Sequence, residues 1–199
     1  MNHENRNQPL LDRPIERALP RAELCERLRE VMEEAGFLEK PAPPAALRWI
    51  DTFVEAYGAG LQTLREALSI VAALRAEAVQ IPALSLERLR SRSVLFFLDT
   101  IGQYVDHQAE LRGLPLEHDI GEMASEFGLE RGDADWALRM ALLGEEGGPP
   151  FELMFPLLGH DRILLRIGAI SSHLLHGRGL EPIKFGPDGA PFAPIPKLT

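Results

Sequence analysis

The sequence predicts an all-α protein, and three observations predict it. Apolar residues recur at intervals of three and four through almost every segment. No stretch alternates apolar and polar residues for long enough to argue a strand. Glycines and prolines punctuate the periodic segments where helices must start or stop.

The first predicted helix carries Leu24, Leu28, Val31, Met32 and Ala35, and Gly36 supplies its C-terminal stop. The proline cluster from Lys40 to Pro44 starts the second, with Leu47, Ile50, Phe53, Val54 and Tyr57 on its apolar face. Gly58 to Gly60 interrupt, and Leu61, Leu64, Leu68, Val71 and Leu74 form the next stripe. Beyond Pro82, Ser85 is the expected N-cap of one long helix with Leu89, Phe96, Phe97, Ile101, Tyr104 and Val105.

Arg112 to Asp119 is the expected internal boundary, because Gly113 and Pro115 oppose helix continuation. A short helix follows, with Ile120, Met123, Ala124 and Phe127 on one face and Gly128 at its end. Asp133 is placed to cap a helix carrying Trp136, Met140 and Leu143, which Gly144 terminates. Pro149 and Pro150 then mark a new start, since proline suits a first turn whose N–H groups have no intrahelical partner. Phe155 and Leu158 share a face of that helix, and Pro156 should kink it or mark its first turn. Gly159 stops it, and Asp161 caps a last helix carrying Ile163, Leu164, Ile167, Ile170 and Leu174.

These readings divide the chain into a flexible N-terminal segment (1–19), a helical bundle (20–113), a compact helical domain (114–177) and a Pro/Gly-rich extended tail (178–199). In the tail, Ile183, Phe185, Phe192 and Ile195 are apolar anchors that suit packing across the body or into a groove.

Composition narrows the function. A chain of 199 residues with 45% hydrophobic residues can bury a substantial core. A net charge of −9 would repel a polyanion unless basic residues are gathered on one face. No apolar run approaches the ~20 residues that cross a bilayer, and the N-terminus has no secretory pattern, so a cytoplasmic protein without a membrane partner is expected. Cys25, the single cysteine, reads as a reduced, half-buried thiol in a helix.

No catalytic set can be named. His118, Glu122 and Glu126 share a helix face without further ligands, and His173 and His176 better serve to stabilise a helix end. Ser171 and Ser172 beside His173 do not make a triad, because sequence adjacency is not catalytic geometry. Neither a phosphate-cradling loop nor a dinucleotide fingerprint is present. No metal or cofactor is therefore expected.

One succession is more specific. Leu138, Arg139, Ala141, Leu142 and Gly144, then Pro149, Phe151, Glu152 and Leu153, then Leu157, Leu158, Gly159, Arg162, Arg166 and Ile167 agree in order and spacing with a known pattern. It resembles the C-terminal anticodon-binding region of bacterial glutamyl-tRNA synthetases. The resemblance implies that Arg139, Gly148, Pro149 and Pro150 face RNA bases, where an arginine offers a planar fork or a stacking surface. It also implies a chain without the catalytic half, since neither the histidine-isoleucine-glycine-histidine signature nor the lysine-serine-lysine loop of those enzymes occurs.

Several positions depart from the pattern. Leu143 replaces a threonine, Gly148 replaces a hydroxyl residue, the spacer is Glu145-Glu146, and one residue is missing before Phe151. Carboxylates at an RNA edge oppose phosphate binding. Arg139 also has a plainer reading, a surface ion pair with Asp135 four residues earlier. Arg88, Arg90 and Arg92 form a candidate basic patch, although such runs are often solvated faces. Two functions follow: a stand-alone module that binds tRNA or structured RNA without aminoacylation, or a protein-interaction or regulatory paralogue that has lost RNA readout, acting on a protein partner or a second copy of itself. An enzyme with an unrecognised site is the third class.

Overall fold

The computed structural model describes residues 10–12, 14–15 and 19–176, and among them it is all-α, with no strand beyond an isolated bridge between Pro14 and Thr63. The expected tail over 178–199 lies outside the described residues. The chain divides into two compact units, one up to Leu74 and one from Arg75.

The first unit holds α1 (Arg21–Glu34), α2 (Pro44–Tyr57) and α3 (Leu64–Arg75) as far as Leu74, the last residue of α3 counting with the second unit. Leu24, Leu28, Val31 and Met32 are buried along α1, as the spacing predicts. Gly36 follows the end of α1 with φ +77°; its N–H meets Glu33 O and that of Phe37 meets Met32 O, so two orphan carbonyls are satisfied. Pro44 opens α2 at its first position. Leu47, expected on the apolar face, is 45% exposed, because Trp49, Ile50 and Phe53 turn the buried stripe aside from it. Arg21 joins α1 to α2 by bonding both Asp51 and Glu55. Part of the expected flexible N-terminal segment is held against the start of α3. Asp12 pairs with Arg65, and Ile15 N–H donates to Gln62 O at 2.8 Å.

The second unit holds α4 (Ala83–Leu89), α5 (Arg92–Asp106), α6 (Leu116–Glu126), α7 (Arg131–Leu143), α8 (Phe151–Leu158) and α9 (His160–His176). Helix α5 packs on α6, α7 and α9, so the Gly113–Pro115 turn lies inside this unit. Its core gathers Phe97, Leu98 and Ile101 of α5 with Leu138, Phe151, Phe155 and Ile167 of later helices, all buried.

The long helix expected from Ser85 is two. Ser85 lies inside α4, and Ser91 caps α5, its Oγ accepting the Val94 N–H at 3.2 Å. A serine that can bond an orphan donor competes with continuation of the helix, which is why the break falls there. Asp133 and Asp161 are likewise not caps. They sit within the first turns of α7 and α9, where a negative charge favours the helix dipole. Pro156 stands in the last turn of α8, two residues before its end, where its missing N–H removes little from so short a helix.

Candidate nucleic-acid interface

The site expected from sequence is the turn from α7 to α8. Gly144 ends α7 with φ +76°, and a Cβ there would lie 2.4 Å from the Gln80 carbonyl oxygen. Glycine is thus required twice, by conformation and by the close approach of residues 79–80. Pro150 stands at the N-cap of α8 and Phe151 begins it, so the paired prolines do mark a helix start.

Arg139 organises this turn. Its Nη1 donates to Pro149 O at 2.8 Å, and its guanidinium carbon lies 4.6 Å from the Phe151 ring centroid. The hydrogen bond and the cation–π contact restrain the fork from two sides. The other N–H groups of Arg139 meet no acceptor among the described residues. The pairing of Arg139 with Asp135 is not formed, because Asp135 Oδ1 accepts from Arg131 Nε at 3.0 Å instead. Arg131 also pairs with Glu117, tying α7 to α6.

Of the other expected contacts, Gly148 and Pro150 are exposed and Pro149 is buried. Gly148 has φ +143°, and a Cβ on it would lie 2.7 Å from Leu143 Cδ1 and 3.0 Å from Arg139 Nη1. The residue that replaces a hydroxyl donor is therefore the one that leaves room for Arg139. Glu152 turns away from the turn's surface: its Oε1 accepts the Glu117 N–H at 2.9 Å, satisfying a free donor at the start of α6.

The turn is held from behind by α9. Arg166 is buried, and it bonds the carbonyls of Leu142 and Ala76, so the C-terminal end of α7 is fixed to the segment after α3. Arg162 Nε donates to Arg75 O at 3.1 Å, and Arg75 is itself held down to about 10, by burial first and by the Arg162 charge second. Both matched arginines of α9 thus donate to carbonyls at or just beyond helix ends, Arg166 from a buried position and Arg162 from a half-buried one.

The basic run of Arg88, Arg90 and Arg92 does not form one free patch. Arg88 pairs with Asp133 and lies over Trp136, with 3.8 Å from its guanidinium carbon to the ring centroid. Arg90 pairs with Glu87 at 3.3 Å, and Arg92 stands 5.2 Å from the Phe96 ring. Trp136, read from sequence as a packing residue, is only half-buried, and its Nε1 donates to Glu146 Oε1 at 3.2 Å. The i, i+3 spacing of Asp133 and Trp136 places them on one helix face, but nothing in the sequence brings Arg88 there.

The remaining chemistry-bearing residues stay apart. His118 Nε2 lies 3.3 Å from Glu122, both exposed, and no group of three potential metal ligands gathers among the described residues. Ser171 Oγ and His173 Nδ1 are buried without a hydrogen-bond partner among the described residues. Cys25 is free and half-buried, and burial pushes its thiol up. No described helix is long and apolar enough to cross a membrane.

This arrangement has a family. The family model of the anticodon binding domain matches residues 15–170, and the chain belongs to that family. Glutamate–tRNA ligase 2 of Caldanaerobacter subterraneus subsp. tengcongensis is similar to it, 19% identical over 170 residues, which cover 85% of this chain and 33% of the relative. The chain thus spans about a third of the length of the curated relative it matches. The fold is therefore the all-α anticodon binding domain.

Proposed function

We propose that this chain binds tRNA, or a structured RNA with unpaired loop bases, at the α7–α8 turn, and that it does so without activating an amino acid. The observation that carries the reading is the state of Arg139. One donor and one face of its guanidinium are spent on Pro149 and Phe151, so the fork is fixed in direction while its other donors meet no acceptor among the described residues. A fork restrained before binding loses less entropy per hydrogen bond formed to a base. Membership of the anticodon binding domain family supports the same ligand, as does the name of its tRNA ligase relative. A cytoplasmic place suits such a ligand.

Titration of the purified chain with bulk tRNA tests this. Arg139→Ala should weaken binding by about 1–3 kcal/mol if the arginine reads a base edge. Wild type without affinity at low salt would overturn the reading. The same preparation should give no glutamate-dependent ATP–pyrophosphate exchange, and exchange that survives further purification would overturn the non-catalytic part.

A second reading, docking of a protein partner, is favoured by one observation. Glu145 and Glu146 are exposed at the same turn, and Arg88 and Arg90 are already paired with carboxylates. A face with that charge suits a basic protein better than a phosphate backbone.

A further inference from the structure

Beside Arg139 lies a second cation–aromatic pair that the anticodon-binding resemblance does not assign. Trp136 precedes Arg139 by three residues on α7, so both side chains leave the same helix face. Arg88 of α4 lies over the indole with its guanidinium carbon 3.8 Å from the ring centroid, and its Nη2 donates to Asp133 Oδ1. Arg88 is half-exposed, with 53% of its side-chain surface open to solvent. At the edge of the indole, Glu146 Oε1 takes the Nε1–H, which leaves the carboxylate's other oxygen without a described partner.

Resting on the RNA reading above, we infer that the Arg88–Trp136 stack is a platform for one unpaired nucleobase, and that Glu146 selects among bases at its edge. A guanidinium plane backed by an indole presents a flat, base-sized surface, and stacking on arginine and aromatic planes is how single-stranded RNA is held. A carboxylate at the rim accepts the exocyclic amine of cytosine or adenine. It repels uracil, which presents a carbonyl oxygen where cytosine carries that amine. The acidic spacer, unfavourable for phosphate, thereby becomes a readout of amino-bearing bases.

The test uses the full chain, whose two tryptophans are Trp49 and Trp136. Short single-stranded oligocytidylate and oligouridylate, labelled with fluorescein, report binding by anisotropy, and the emission difference between wild type and Trp136→Phe reports stacking. Oligocytidylate should quench Trp136 and bind about tenfold tighter than oligouridylate, a preference that Glu146→Gln reduces to about twofold. Arg88→Ala, at an exposed position, removes the plane on which the base stacks and should weaken oligocytidylate binding; unchanged affinity overturns the platform. RNA binding with Trp136 emission unchanged overturns the platform while leaving RNA binding at Arg139 intact. Quenching that is equal for both oligonucleotides and insensitive to Glu146→Gln overturns the selection. Absence of any RNA binding overturns the platform together with the reading it rests on.

Discussion

Arg139 Nη1 lies 2.8 Å from the carbonyl oxygen of Pro149, so a side chain of α7 holds the end of the turn that leads into α8. The bond spans a turn that contains two exposed glutamates, Gly147 and Gly148, and little else in that turn is buried apart from Pro149. The order of the turn therefore depends on the same guanidinium that is proposed to meet RNA.

Replacing that guanidinium with an ammonium separates charge from shape. Arg139→Lys keeps the charge but cannot offer a planar fork to both Pro149 O and a base, and it rests less well on Phe151. The variant should lose about 1 kcal/mol of stability in urea unfolding. It should also bind tRNA more weakly than wild type under matched salt. Equal tRNA affinity would show that only the charge at this position matters.

Phe151 supports the turn from below. It is fully buried, meets Phe155 edge to face with 6.2 Å between ring centroids, and lies beneath Arg139. Phe151→Ala should cost about 3–5 kcal/mol, from the lost transfer energy and the cavity left behind. Chemical denaturation measures this directly, and an unchanged midpoint would mean that the residue is not the core anchor its burial indicates.

Much of this architecture is legible in the sequence because it depends on local rules. Period-three-and-four stripes place Leu24, Leu28 and Met32, and Gly36, Gly128 and Gly144 end helices where a positive φ is needed. What escapes is decided by partners far away in the chain. Ser85 and Ser91 both suit a cap, and the packed structure uses Ser91. Asp135 lies at pairing distance from Arg131 and Arg139 alike along the helix, and Arg131 takes it. Arg88 reads as one of a run of surface cations, while its stacking on Trp136 is a tertiary contact that no spacing rule contains. The local structure of the turn is thus legible at the proline pair, which marks the start of α8, while the partners that Arg139 and its neighbours take are not.

A part-buried hydrogen bond between α5 and α6 makes a prediction about pH. Tyr104 Oη donates to Asp119 Oδ2, and its phenol is pushed up to about 12, by burial first and by the bond and charge of Asp119 after it. The folded state thus favours the neutral phenol more than the unfolded chain does, where a tyrosine titrates at about 10. That contribution is fully present below about pH 10 and is lost as pH rises toward about 12. Unfolding midpoints of wild type and Tyr104→Phe should therefore differ at neutral pH and converge as pH rises through this window. A constant gap up to the top of it would show that the phenol does not titrate late.

The acidic spacer provides the strongest separation of the two functions. Glu145 and Glu146 are exposed, and Glu146 is committed to Trp136 only through one oxygen. If RNA runs along this turn, the two carboxylates weaken the complex wherever its backbone passes near. Reversing both to lysine should then tighten binding of bulk tRNA and steepen its salt dependence, by up to about 0.9 in the logarithmic slope for each phosphate newly neutralised. Base selection should fall at the same time, since a lysine at position 146 cannot accept an exocyclic amine. Wild type and the double variant are compared by titration at two salt concentrations, with an unrelated polyanion as the control. A variant that gains affinity equally for tRNA and the polyanion, from a wild type that binds neither, would assign the turn to a basic protein partner: the lysines would then have created a polyanion site where the native carboxylates form an acidic docking face.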